Sequence, residues 1–157
     1  MQNNHQLKIA LVEPQIPQNT GNIARLCAAT HTTLDIVGPI GFSLEDKHLK
    51  RAGLDYWPEV NWHSHCSTAT YMNTLNPDQV ILLSSKATKP YTQFTFHPNS
   101  IIILGSETTG LNETYRTQFK DRLALIPMSN PNIRCLNLSN ATAIVLYEAL
   151  RQINATT

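Results

Sequence analysis

The stretch Lys8-Ile9-Ala10-Leu11-Val12-Glu13-Pro14-Gln15-Ile16-Pro17-Gln18-Asn19-Thr20-Gly21-Asn22-Ile23-Ala24-Arg25 starts as one kind of structure and ends as another. Lys8–Glu13 is a short, nearly continuous apolar run, the pattern of a strand covered on both faces. Glu13-Pro14 and Pro17 interrupt it, because proline offers no amide hydrogen to a ladder and stiffens the turn. From Thr20 to Thr30 the spacing of Ile23, Leu26 and Cys27 predicts a helix. Strand, stiff turn and helix together form the repeating unit of an α/β fold.

The same alternation extends outward along the chain. Runs at Leu34–Val37, Val60–His63, Gln79–Leu83, Ser100–Leu104 and Arg122–Ile126 predict five more strands. Helices are expected at Ser43–Arg51, where Ser43 and Asp46 resemble a capping box, and at Ser67–Leu75, Asn112–Phe119 and Ser139–Ile153. In the last of these, Leu138, Ala141, Val145, Ala149 and Ile153 follow the helical period, and Ile144, Leu146 and Leu150 widen the stripe. A helix apolar over so much of its girth needs more than one partner surface. The pattern predicts a single α/β domain over residues 1–157 with a mainly parallel sheet and flanking helices. No repeat, low-complexity tract or linker divides it.

Composition sets further bounds. Of the 157 residues, 41% are hydrophobic and 15% charged, which excludes a disordered or coiled-coil chain. A formal net charge of +1 does not by itself announce a nucleic-acid partner, so one must be argued from a site. Met1–Leu7 is polar and lacks the layout of a secretory signal, and runs such as Ile101–Leu104 are too short to cross a bilayer. Cys27, Cys66 and Cys135 are odd in number and widely spaced, as expected of reduced thiols in the cytoplasm.

Three segments exceed what a plain scaffold needs. The first, Glu13–Arg25, leaves a strand and enters a helix, where open α/β sheets place ligands. Asn19, Thr20 and Asn22 offer amides and a hydroxyl, and Arg25 can reach a bound anion. The second, Gly105-Ser106-Glu107-Thr108-Thr109-Gly110-Leu111, follows a strand directly, and its glycines can admit a ligand to the backbone. It matches neither the Walker A nor the dinucleotide-binding glycine pattern. The third runs from Ile126-Pro127-Met128 through an Asn- and Pro-rich loop to Arg134-Cys135-Leu136-Asn137-Leu138-Ser139-Asn140-Ala141, where Asn137 or Ser139 can cap the final helix. Each segment alone also reads as ordinary capping and turn structure.

Taken in this order, the three segments resemble the motifs of the SPOUT, or trefoil-knotted, methyltransferases. The resemblance is closest to the short single-domain enzymes that 2′-O-methylate the wobble nucleotide of certain tRNAs. Ile16–Arg25 and Leu136–Ala141 carry it most specifically. It implies a C-terminal trefoil knot, a homodimer, a tRNA substrate with cytidine or modified uridine at the wobble position, and no DNA or membrane partner. It also implies S-adenosylmethionine, left as S-adenosylhomocysteine, held largely by backbone groups at Leu83, Gly105, Ile126 and Cys135, with Met128 and Leu136 nearby. The family's polar set falls on Asn19, Arg25, Glu107 and Asn137. Cys135 stands where the family usually has serine, so a role needing a hydroxyl there is not carried over. The resemblance leaves open another tRNA or rRNA site, or a non-catalytic RNA-binding or assembly protein on the same scaffold.

The chemistry so implied needs no metal. A ribose hydroxyl must be held in line with the methyl carbon and its proton removed or polarised. Arg25 is expected to hold the target phosphate and stabilise the developing oxyanion, because a guanidinium stays protonated and cannot serve as the base. Asn19, Glu107 and Asn137 are expected to orient ribose and cofactor. The string Trp62-His63-Ser64-His65-Cys66 suggests metal ligation, but no further Cys/His pair completes a four-ligand set.

Overall fold

The computed structural model describes residues 5–43 and 56–155. Six strands lie among them: β1 (Lys8–Val12), β2 (Thr33–Val37), β3 (Trp62–His65), β4 (Val80–Leu83), β5 (Ile101–Leu104) and β6 (Leu123–Ala124). All pair in parallel, in the order β3-β2-β1-β5-β4-β6. The continuous apolar runs follow from this. Successive side chains point to opposite faces, so Ile9, Leu11, Leu34, Ile36, Ile81 and Ile102 enter one core while Ala10, Val12, Val37, Val80, Leu82 and Ile103 enter another.

Among the described residues, four helices supply covering layers: α1 (Pro17–Thr30), α2 (Thr68–Asn73), α3 (Glu113–Gln118) and α4 (Leu138–Ala155). On the first face, Ile23, Ala24 and Cys27 of α1 share a core with Val145, Leu146, Ala149, Leu150 and Ile153 of α4. On the second, Tyr71 and Met72 of α2 pack with Leu111 and Phe119, and Tyr115 of α3 joins them. The expected girth of α4 is observed: it packs on α1 and the sheet, yet Ile144 and Tyr147 stay exposed at 38% and 55%. No helix among the described residues is long and apolar enough to cross a membrane.

All six expected strands form, with shifted ends. β3 starts at Trp62 rather than Val60, because Trp57-Pro58-Glu59 makes a 3-10 turn that ends by burying Val60. α1 starts at Pro17 rather than Thr20; proline suits the first helical turn, where its missing N–H would be unsatisfied anyway. Asn19 is therefore a buried helical residue like Thr20, not a residue of the turn before the helix. The helix expected at Ser43–Arg51 lies outside the described residues after Ser43.

Candidate active site

Parallel sheets leave their ligand sites beyond the carboxyl ends of the strands. Here Leu83 pairs in register with Leu104 and with Ala124. Leu83, Gly105 and Ile126 thus leave three neighbouring strands at one end of the sheet. Leu11 also pairs with Leu104, so the turn after β1 emerges beside them. That turn is sharp: Glu13 has φ 52, a left-handed conformation rare outside glycine, and its carboxylate accepts a hydrogen bond from the Thr68 hydroxyl at 2.8 Å.

Gly105 is required for a reason the sequence reading did not give. A Cβ there would collide with the backbone of Gly110 and Leu111. The group that approaches Gly105 is the returning arm of its own loop. The Gly110 N–H donates to the Ser106 carbonyl at 2.9 Å, the Ser106 and Thr109 hydroxyls lie 2.8 Å apart, and Gly110 supplies the positive φ of 67. This closed loop projects Glu107 towards the start of α1.

Glu107 joins the first two segments. One carboxylate oxygen accepts the Gln15 N–H at 2.8 Å; the other accepts the Ile16 N–H at 3.1 Å and the Asn19 amide at 3.2 Å. A carboxylate only accepts, so Asn19 must turn its NH2 group towards it. The Asn19 oxygen then faces the other way and accepts from the Asn137 Nδ2 at 3.0 Å. That in turn directs the Asn137 oxygen to the start of α4, where it accepts from Ser139 N–H at 2.9 Å, the Ser139 hydroxyl at 2.6 Å and Asn140 N–H at 3.4 Å. One carboxylate thereby fixes the direction of a relay that ties all three segments together and caps the last helix.

Arg25 is not part of the relay. It lies six residues beyond Asn19, about 9 Å along α1. Its guanidinium stacks over the Tyr56 ring, 4.5 Å from the centroid. Among the described residues no carboxylate pairs with it. Tyr56 was not singled out by the sequence, where nothing marks it except its place before Trp57-Pro58. Beside Asn19, the fully buried Thr20 hydroxyl has no partner among the described residues.

Of the six expected cofactor contacts, Leu83, Ile126, Met128 and Leu136 are half-buried, Gly105 is buried and Cys135 is exposed. Leu83 and Ile126, partly uncovered at the ends of neighbouring strands, suit the apolar faces of an adenosyl group, with the loop backbones left to supply polar contacts.

The His63 and His65 rings both reach a carboxylate the sequence hid inside an apolar run. Asp35 is 1% exposed and accepts from the Tyr71 hydroxyl at 2.8 Å and from His63 Nδ1 at 3.1 Å, with Lys8 Nζ at 3.8 Å and His65 Nε2 at 3.4 Å. Burial, reinforced by Asp35, pushes the Tyr71 phenol well above its ordinary pKa. A cavity of about 500 Å³ beside this cluster is lined by Lys8, Asp35, His65, Tyr71, Gln79 and Ile101 among others. No group of three or more His, Cys, Asp or Glu arranged to hold a metal occurs among the described residues.

Residues 6–147 match the SpoU rRNA Methylase family. A tRNA (cytidine(34)-2'-O)-methyltransferase of Methylovorus glucosotrophus is 46% identical over 145 residues, covering 92% of this chain and 94% of that protein. A protein of the same name from Beijerinckia indica is 40% identical over 94% of this chain and 92% of its own length. A solved structure described as giving insight into the 2-OH methylation of C/U34 on tRNA superposes with a TM-score of 0.89 at 37% identity, covering 97% of this chain and 99% of that one.

Proposed function

The chain belongs to the SpoU rRNA methylase family, and we propose that it is a tRNA methyltransferase acting on the ribose 2′-hydroxyl of the wobble nucleotide, cytidine or modified uridine. The observation that carries this reading is the relay Asn137–Asn19–Glu107, which gathers three loops at the carboxyl end of the sheet. The substrate half rests on relatives at 46% and 40% identity, which are named for tRNA although the family's name refers to rRNA. Residues 1–157 act as one domain, and the reading includes the C-terminal trefoil knot that the sequence resemblance implies.

S-adenosylmethionine, when bound, supplies a methyl group activated by its sulfonium. Leu83, Gly105, Ile126, Met128, Cys135 and Leu136 would hold it, chiefly through main-chain groups and apolar side chains. Arg25 binds the target phosphate and stabilises negative charge growing on the 2′-oxygen, using N–H donors that nothing else engages among the described residues. Asn19, Glu107 and Asn137 keep the loops in register, since their polar atoms are already committed to one another.

The protein works as a homodimer in the cytoplasm. Exposed Ile144 and Tyr147 on α4 give it an apolar surface to pair, and pairing doubles the area a nearly neutral chain can offer to RNA. Purified protein should bind S-adenosylhomocysteine calorimetrically and methylate tRNA at position 34, read by nucleoside mass spectrometry. Methylation confined to another nucleotide removes the substrate half; no binding of S-adenosylhomocysteine removes the enzymatic reading.

A further inference from the structure

We propose that Tyr56 is a positioning residue for Arg25, holding its guanidinium plane by a cation–π stack in the attitude from which it meets the target ribose and phosphate. This rests on the methyltransferase reading above.

Arg25 is an exposed side chain on α1 with several rotatable bonds, and ordering it costs rotamer freedom. A carboxylate could hold it, but would neutralise its charge and occupy its donor fork. A ring face holds a guanidinium by its flat side and leaves every N–H edge free for anionic oxygens. The ring contact is the one observed: the guanidinium carbon sits over the Tyr56 ring, 4.5 Å from its centroid, and no carboxylate among the described residues competes.

The ring is mounted to act as a fixed platform. Tyr56 caps the 3-10 turn Trp57–Glu59, and its carbonyl accepts the Glu59 N–H at 2.9 Å. Trp57 packs on Trp62 of β3 at 5.3 Å between centroids, and Val60 is buried in the core. Arg25 comes from a helix and Tyr56 from a turn anchored to the sheet edge, so the stack fixes the guanidinium against two independent supports. The tyrosine is 41% exposed, which leaves the pair open to a substrate phosphate.

The test uses the full chain as Tyr56→Phe, Tyr56→Leu, Arg25→Ala and the Tyr56→Leu/Arg25→Ala double variant. The Arg25 δ-proton NMR signals should be shifted upfield by the ring in wild type and Tyr56→Phe, and return to ordinary positions in Tyr56→Leu. In Tyr56→Leu, kcat should fall roughly tenfold, between the few-fold worth of an exposed cation–π contact and the hundredfold cost of a 1 Å misplacement. KM for tRNA and affinity for S-adenosylhomocysteine should stay within about twofold. Tyr56→Phe should retain wild-type kcat, and adding Tyr56→Leu to Arg25→Ala should change nothing further. An unshifted Arg25 signal in wild type overturns the proposal without recourse to any variant. So does full activity in Tyr56→Leu, equal damage in Tyr56→Phe, or additive loss in the double variant. A wild type that methylates no tRNA sinks the methyltransferase reading and this role together; an active wild type beside an equally active Tyr56→Leu sinks this role alone.

Discussion

Removing the Glu107 carboxylate should loosen the protein as well as slow it. Glu107→Ala deletes three accepted hydrogen bonds, from Gln15 N–H, Ile16 N–H and the Asn19 amide. The two backbone donors are exposed, so water can take the carboxylate's place and each loss costs only about 0.5–1 kcal/mol. Asn19 is 5% exposed. Its amide would be left dry, at a cost of about 1–3 kcal/mol. The sum is roughly 2–5 kcal/mol, which for a chain of this size lowers Tm by about 4–20 °C. Glu107→Gln should fall between, because it keeps one acceptor oxygen but turns an NH2 group towards a donor. Thermal unfolding, S-adenosylhomocysteine calorimetry and single-turnover methylation, measured on the same preparations, separate the two roles Glu107 could have. A strut loses stability, cofactor affinity and rate together. If Glu107→Ala melted with wild type and bound S-adenosylhomocysteine normally while losing all methylation, Glu107 would be meeting the substrate and the strut assignment would be wrong.

Arg25→Ala should lower the methylation rate by about two to three orders of magnitude with cofactor affinity unchanged, and Arg25→Lys should rescue poorly because a point charge cannot reproduce a planar fork; an active Arg25→Ala removes it from the mechanism. Thr20→Val should raise Tm by a few degrees, on the order of 1 kcal/mol, because it deletes a buried hydroxyl that lacks a partner among the described residues; a fall in Tm would mean that the hydroxyl is satisfied. Hydrogen bonds from Arg151 and Gln152 hold the Glu148 carboxyl down at about 2. A depressed folded-state pKa contributes stability above the ordinary carboxylate range and loses it as pH falls towards 2. Glu148→Gln should therefore cost about 1–2 °C of Tm at pH 7, as for a helical pair with one partner largely exposed, and nothing near pH 2; a gap that persists in acid contradicts this. Burial pushes the Cys27 thiol up to about 12, while Cys66 and Cys135 are exposed. An aromatic disulfide reagent at pH 8 should thus titrate two thiols quickly and the third only on unfolding; three fast thiols would place Cys27 at the surface.

The sheet was readable because its information is local. A strand buried on both faces cannot carry polar residues at either parity, so runs such as Ile101–Leu104 announce themselves without their neighbours. The exceptions have local causes too. β3 is an edge strand, Trp-His-Ser-His, with no fully buried residue, and its start was displaced by a proline turn whose tightness the apolar spacing does not encode. Asp35 was invisible inside Leu34–Val37 because what makes a buried carboxylate tolerable there comes from three other elements, Lys8 of β1, His63 of β3 and Tyr71 of α2.

The polar residues of the site were legible as a set but not as parts. Asn19, Glu107 and Asn137 stood out only through the family resemblance, since alone each reads as ordinary capping or turn structure, and that signal fits a residue that touches substrate as well as one that braces a loop. What separates the two is where each lone pair and proton goes, and those partners lie 88 and 118 positions apart. Once the acceptor-only carboxylate is placed, the orientation of both amides follows, with one N–H of Asn19 and one of Asn137 spent inside the relay. Of the four residues, Arg25 is the one cation, and among the described residues it is held by a ring instead of a counter-ion. A chain of net charge +1 has little general attraction for RNA. The proposed recognition of a phosphate would therefore be concentrated in such cations, and the proposed homodimer would present the same arginine twice.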